Sequence, residues 1–281
     1  MKDLVIGTSN FNQNYGLSNK KLRLKEIQKI LNLAKKNKIK FIDTALDYNL
    51  TSNFTKKISF KKFKIITKFK LPKNDKKNFV NNLEQVLIKE IKKFNIKKFH
   101  AILIHRSSDL TTIYGKQIIK VLNSLKKKKL IQYIGVSIYD FNELKKIPIS
   151  FKIDLAQIPI NVFDQRFLNK KFLKFFKNKK IKLQARSVFL QGGLLNKNKK
   201  MQKLGEYQDN FAKNCKKNLT DPLTASLSFV KNLDQFRYIN IGIDNAKQLK
   251  TIIKSWNNTK ILNFNEFKIK NLKITDPRKW K

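Results

Sequence analysis

Cysteine is almost missing: 281 residues hold one, Cys215, in "KNCKKN". One thiol closes no internal disulfide, so a reducing cytoplasm is the compartment the chain fits. Lysines flank it, and a nearby cation lowers a thiol pKa, so a reactive thiol is one reading and an inert one the plainer. Long apolar runs are missing too. No stretch reaches about 18 uninterrupted apolar residues, which argues against a membrane span. The opening "MKDLVIGTSN" lacks the apolar region and small-residue cleavage site of a signal peptide. No Pro/Gly/Ser-rich linker divides the chain, so 1–281 reads as one domain. Glycine is scarce where a dinucleotide fingerprint would need it. The first apolar run enters "GTSNFNQNYG", whose Gly7 and Gly16 lie too far apart for G-x-G-x-x-G.

Acidic residues are scarce as well: 19 Asp+Glu face 63 Lys+Arg, for a net charge of +44. Such an excess invites a nucleic-acid reading. Only six of the cations are arginine, however: Arg23, Arg106, Arg166, Arg186, Arg237 and Arg278. Arginine supplies the bidentate and stacked contacts that readers of bases favour. The lysines are scattered along the chain, and they accompany abundant Asn, Ile and Phe, all with codons rich in adenine and thymine. The expectation is a lysine-coated surface with no specific nucleic-acid role and weak, salt-sensitive binding to polyanions.

What is present is a repeat. Apolar, β-branched runs recur at 4–8, 39–44, 63–68, 99–105, 133–137, 153–160, 181–188 and 238–243. Each is nearly continuous, the pattern of parallel strands covered on both faces. Between most of them lies a stripe of helical period. Ile27, Ile30, Leu31 and Ala34 form one; Val80 through Phe94 a longer one; Ile118, Val121, Leu122 and Leu125 another; Leu249, Ile252, Ile253 and Trp256 the clearest. "TDPLTASLSF" carries a helix start, with a Thr or Asp cap and Pro222 in the first turn. Eight strand–helix units of about 35 residues predict an α/β fold, a (β/α)8 TIM barrel, over an open doubly wound sheet. The stretch 195–218 has no clean period and reads as a long loop after strand 7.

Barrel enzymes carry their chemistry at the C-terminal ends of the strands. Strand 2 ends at Asp43, with Tyr48 just beyond; strand 3 ends at Lys68; strand 4 ends at His105. Taken singly, each has a plainer reading: a turn cap, a packed ring, one lysine of many, a core histidine. His100, at the opposite end of strand 4, is read as structural. Together the four suggest proton transfer. A phenol donates poorly near neutrality, and a cation nearby stabilises phenolate. Lys68, held charged by Asp43, is expected to lower the pKa of Tyr48 and make it a general acid, with His105 polarising a carbonyl oxygen. No protein nucleophile stands beside them, so hydride from a nicotinamide is the matching partner.

These residues resemble the aldo-keto reductase superfamily. "FIDTALDY", "IITK", "ILIH", "YIGVSIY", "AQIPIN", "RSVFLQGGLL" and "IGIDNAKQL" follow in that family's order over essentially the whole chain. The resemblance implies metal-free reduction of aldehydes and ketones by NADPH or NADH, with NADPH the commoner. It maps the catalytic tetrad onto Asp43, Tyr48, Lys68 and His105. It places Ser137 and Gln157 at the nicotinamide carboxamide, Ser187, Leu190 and Gly192 over the pyrophosphate, and Gly242, Asn245 and Gln248 at the adenosine. Arg186 stands where an aromatic often stacks on the nicotinamide. Asn49 and Ile138 replace residues the family often has as Gly and Asn. The adenosine segment lacks the usual cation for a 2′-phosphate and has Asp244, which favours NADH, against Lys247 close by. The two ends, "VIGTSNFNQNYGLSNK" and "ITDPRKW", resemble a bacterial branch associated with surface-polysaccharide or nucleotide-sugar pathways, which implies a small, polar carbonyl substrate such as an oxidised sugar. The expected state is a monomer or weak homo-oligomer. Two rival readings stay open: a Schiff-base lyase using Lys68, and a non-catalytic NAD(P)- or polyanion-binding barrel.

Overall fold

The computed structural model describes residues 2–16, 19, 21–197 and 199–280. Eight parallel strands close a barrel in chain order, β1 against β8. They are β1 Asp3–Gly7, β2 Phe41–Asp43, β3 Lys64–Phe69, β4 Phe99–Ile104, β5 Ile131–Ser137, β6 Leu155–Pro159, β7 Lys182–Arg186 and β8 Phe236–Ile241. All eight coincide with the apolar runs of the sequence. Around them lie α1 Leu24–Lys36, α2 Ser52–Lys56, α3 Lys76–Asn81, α4 Leu83–Lys93, α5 Gly115–Lys127, α6 Phe141–Lys145, α7 Lys170–Asn178, α8 Gly205–Lys217, α9 Pro222–Lys231, α10 Ala246–Asn257 and α11 Leu272–Thr275.

Two cores follow from the alternation of strand side chains. Val5, Phe41, Ile66, Ala101, Leu103, Leu155 and Tyr238 fill the barrel interior. Ile6, Ile42, Ile65, Ile102 and Ile104 point outward onto the helices. α1 buries Ile27, Ile30, Leu31 and Ala34, the four stripe residues. Each Ile or Leu among them contributes about 1.5–3 kcal/mol when taken from water, and the Ala34 methyl less. β5 and β6 approach so closely at Gly135 that a Cβ there would lie 1.8 Å from the Leu155 carbonyl oxygen. His100 closes the lower end of the interior, paired with the Tyr238 hydroxyl at 2.8 Å and with Gln132 at 3.2 Å. Burial pushes its pKa down to about 4.

Two local expectations need correction. The 195–218 stretch is not a long loop. Residue 198 lies outside the described residues, but α8 occupies 205–217 behind a 3-10 turn at Lys199–Leu204. α8 is amphipathic: Gln208, Phe211 and Cys215 face inward, and Phe211 packs edge-on against Phe163 and Phe267. Cys215 is therefore buried, and burial pushes its pKa up to about 11 rather than down. The stripe from Val80 to Phe94 is two helices, broken at Asn82, whose side-chain amide bonds back to the Asn78 carbonyl. The expected helix start at 221 is present: Asp221 accepts from the Leu223 and Thr224 amides, with Pro222 in the first turn. No helix among the described residues is long and apolar enough to cross a membrane.

Candidate active site

Side-chain parity decides what reaches the centre of the barrel. In β2, Phe41 points inward, Ile42 outward and Asp43 inward. In β3, Ile66 points inward and Lys68 follows on the same side. The two strands pair directly, so a carboxylate and an ammonium meet in a space with almost no water: Asp43 is 2% exposed and Lys68 1%. Lys68 Nζ donates to Asp43 Oδ1 at 2.5 Å. The other carboxylate oxygen, Oδ2, accepts from Gln157 Nε2 on β6 at 2.7 Å and from Gln184 Nε2 on β7 at 3.2 Å. Three donors from three strands thus hold one acid. Burial lowers the Lys68 pKa, and the Asp43 carboxylate opposes that shift.

Above this pair stand the two aromatic acid–base candidates. Tyr48 is half-buried on the loop after β2; its ring centroid lies 5.6 Å from Lys68 Nζ and 6.4 Å from the His105 ring, edge to face. His105 follows β4 directly. Burial and the Lys68 cation push its pKa down to about 4, so its imidazole is neutral at pH 7. Its Nδ1 makes no hydrogen bond and lies 3.7 Å from Asp47 Oδ1. The Tyr48 pKa departs from expectation. Burial first, then the Asp43 carboxylate, hold it well above the usual phenol value. Asp43, 2.5 Å from the Lys68 ammonium, offsets much of that cation's field at the phenol. Tyr48 rests as a protonated hydroxyl near neutral pH, not an acidified one.

One cavity of about 320 Å³ joins these groups to the other predicted contacts. Asp43, Tyr48, Lys68, His105, Ser137, Gln157, Arg186, Ser187, Gly192, Gly242 and Gln248 all line it. Ser137 Oγ donates to Gln157 Oε1 at 3.3 Å, which ties the ends of β5 and β6 together. After β7 the chain makes an unusual bend. Ser187, Leu190 and Gln191 adopt φ of 59°, 48° and 56°, and Gly192 a φ of 94°. This wraps a loop of backbone along the cavity wall. Two predicted contacts lie elsewhere. Leu190 is a core residue, and Asn245 is an exposed cap whose Oδ1 accepts from the Gln248 amide at 2.7 Å. Sequence reasoning missed several cavity residues: Asn10, Tyr15, Tyr139 and Asn240. It also missed Gln184 beneath them. Gln184 carried a signal, since it is the inward position of β7 two residues before Arg186.

Arg186 lies over the Tyr139 ring at 3.8 Å, and Arg278 lies over the same ring at 3.4 Å. Arg186 Nη2 donates to the Ile138 carbonyl at 3.2 Å, while its buried Nε has no partner. Asp276, 0% exposed, holds Arg278 by Oδ2 at 2.6 Å and lies 3.6 Å from Arg166. The segment from Asp276 to Arg278 is therefore fixed against the cavity wall.

The cavity suits an elongated dinucleotide. Asn240 Oδ1, the Arg186 Nε and the His105 Nδ1 are polar atoms without partners at or beside it, and its far end is the loop Gly242–Asp244 before α10. Among the described residues, no group of three His, Cys, Asp or Glu side chains is placed to hold a metal.

A search of curated proteins finds no match for this sequence. Among solved structures, the fold is similar to the glycerol dehydrogenase AKR11B4 from Gluconobacter oxydans, at 18% identity and a TM-score of 0.72 over 98% of this chain and 92% of that one. It is also similar to the holo form of the aldo-keto reductase AKR11C1 from Bacillus halodurans, at 14% identity and a TM-score of 0.74 over 94% of this chain and 89% of that one. The model of the aldo/keto reductase family matches residues 3–270. With a closed eight-stranded barrel and that match over nearly its whole length, the chain belongs to the aldo/keto reductase family of NAD(P)H-dependent oxidoreductases.

Proposed function

We propose that the protein reduces an aldehyde or ketone to the alcohol, with Tyr48 giving the proton to oxygen. A bound nicotinamide supplies the hydride. Ser137, Gln157, Arg186, Ser187, Gly192, Gly242 and Gln248 would hold that dinucleotide along the cavity. The observation that carries the reading is the buried Asp43–Lys68 pair, held by two glutamines, beneath a half-buried phenol and a neutral imidazole.

The raised pKa of Tyr48 is compatible with this role. An alkoxide forming at the substrate oxygen is far more basic than a phenolate, so the proton moves downhill even from a phenol that holds it tightly. What the site must supply is a hydroxyl that is always loaded and a fixed direction for its proton. Neutral His105 adds a ring nitrogen able to donate to the same oxygen. Lys68 stabilises the phenolate left after transfer, while Asp43 fixes the lysine in place. A small, polar carbonyl compound, such as an oxidised sugar, fits a cavity whose wall is rich in hydroxyl, amide and guanidinium groups.

The test is Tyr48→Phe. Turnover should fall by roughly 10² or more while dinucleotide binding persists. Unchanged turnover removes Tyr48 from the chemistry. Burial also lowers the Lys68 pKa, the direction a Schiff-base lysine needs. Borohydride added with an aldehyde should leave no adduct on Lys68, because Asp43 holds the ammonium charged; an adduct would establish the lyase reading instead.

A further inference from the structure

The cavity that begins at Tyr48 ends between Gly242 and Gln248, against the N-terminus of α10. The first N–H groups of a helix attract anions. Here two of them already bond to this chain's own side chains. Ala246 N donates to Glu26 Oε1 at 2.6 Å, and Gln248 N donates to Asn245 Oδ1 at 2.7 Å. Glu26 lies in the first turn of α1, so its carboxylate sits between two helix N-termini and is favoured by both. A second carboxylate, Asp244, lines the cavity itself. Its Oδ1 accepts from Asn10 Nδ2 at 3.0 Å, and its backbone N–H donates to Gln248 Oε1 at 2.6 Å. The Asp244 side chain is thus tied to the loop after β1, and its backbone to α10. Among the described residues, Arg186 is the only arginine lining the cavity, and it lies at the end of β7, stacked on Tyr139.

Resting on the reading of this barrel as a nicotinamide-dependent reductase, we propose that Glu26 and Asp244 make it selective for NADH. Asp244 accepts hydrogen bonds from a free ribose. Glu26 occupies the helix N–H that a 2′-phosphate would use and repels that phosphate by its charge. A 2′-phosphate brings about two negative charges against two fixed carboxylates. The opposing field comes from lysines. Lys29, Lys36, Lys247 and Lys250 rim a shallow hollow beside Ala246, but all four are exposed. Water and salt screen such charges over about 8–10 Å, whereas Asp244 lines the cavity itself and Glu26 is bound to the first amide of α10. Local repulsion therefore outweighs diffuse attraction, by a margin that grows with salt.

Calorimetric titration of the full chain with NADH and with NADPH, at roughly 0.05 and 0.3 M salt, tests this. At the higher salt NADH should bind at least about tenfold more tightly, since like charges in contact cost several kcal/mol. The ratio should rise between the two salts, because NADPH leans more on the screened lysines. Glu26→Gln with Asp244→Asn should raise NADPH affinity by about tenfold and weaken NADH modestly. Should Glu26→Gln fail to fold, Asp244→Asn alone must still narrow the ratio. NADPH binding as tightly as NADH at high salt, or a ratio that no substitution moves, overturns the proposal. Failure of both nucleotides to bind overturns the nicotinamide reading itself, a distinct result from tight NADPH binding.

Discussion

Replacing Lys68 with Met separates the two functions of the buried ion pair. Met has nearly the volume of the lysine stem, so the barrel centre stays filled and only the charge is lost. Asp43, 2% exposed, then keeps its two glutamine donors but has no cation. An unpaired buried charge costs about 3–5 kcal/mol. The penalty of Lys68→Met should therefore be about 3–5 kcal/mol, a large share of the 5–15 kcal/mol that holds a typical domain folded. Asp43→Asn with Lys68→Met removes both charges and should recover most of the loss, since the amide can still accept from the glutamines. Turnover should not recover, because the cation beside Tyr48 is still gone. Urea denaturation, with single-turnover rates on the same samples, reads all of this. A Lys68→Met chain as stable as the wild type would refute the argument, as would a double variant with restored turnover.

Two further outcomes follow from buried groups. His100 and His105 both have folded-state pKa values near 4, below the ordinary 6.5. Each contributes stability that is complete above pH 6.5 and lost as pH falls toward 4, up to about 3 kcal/mol per group. Thermal unfolding between pH 7 and 4.5 should show that loss, and His100→Gln should flatten the slope; an equally steep variant would contradict it. Cys215 is buried with a pKa of about 11. At pH 8 a disulfide reagent should modify it at least 10²-fold more slowly in the native chain than in urea, since the thiolate is both scarce and covered. Comparable rates would place the sulfur at the surface.

The sequence made the barrel legible because parallel strands buried on both faces leave long apolar runs, and all eight stood out. Three of the four candidate catalytic residues were legible because those runs end in polar residues: Asp43, Lys68 and His105. Residues that act through register were harder to see. Gln184 lies in mid-strand, and only the inward turn of β7 brings it under Asp43. Glu26 is an ordinary first-turn acid of α1 until closure of the ring sets α10 beside it. α8 was hidden because its inward face has a glutamine, a phenylalanine and a cysteine rather than an aliphatic stripe. The sign of the Tyr48 shift depends on which of two charges of a neutral pair lies nearer and on how dry the site is, and neither is written in residue order.

Because β1 bonds to β8, the wall of the cavity is assembled from both extremes of the molecule: Gly7 to Asn10 on one side, Asn240 to Asp244 on the other. During synthesis, a nascent chain halted after residue 105 but before the eighth strand has the acid, the lysine and the histidine but no slot for a nucleotide. Capture of the coenzyme is thus an all-or-none signal that translation has passed residue 248, and truncated products should be inert rather than partly active.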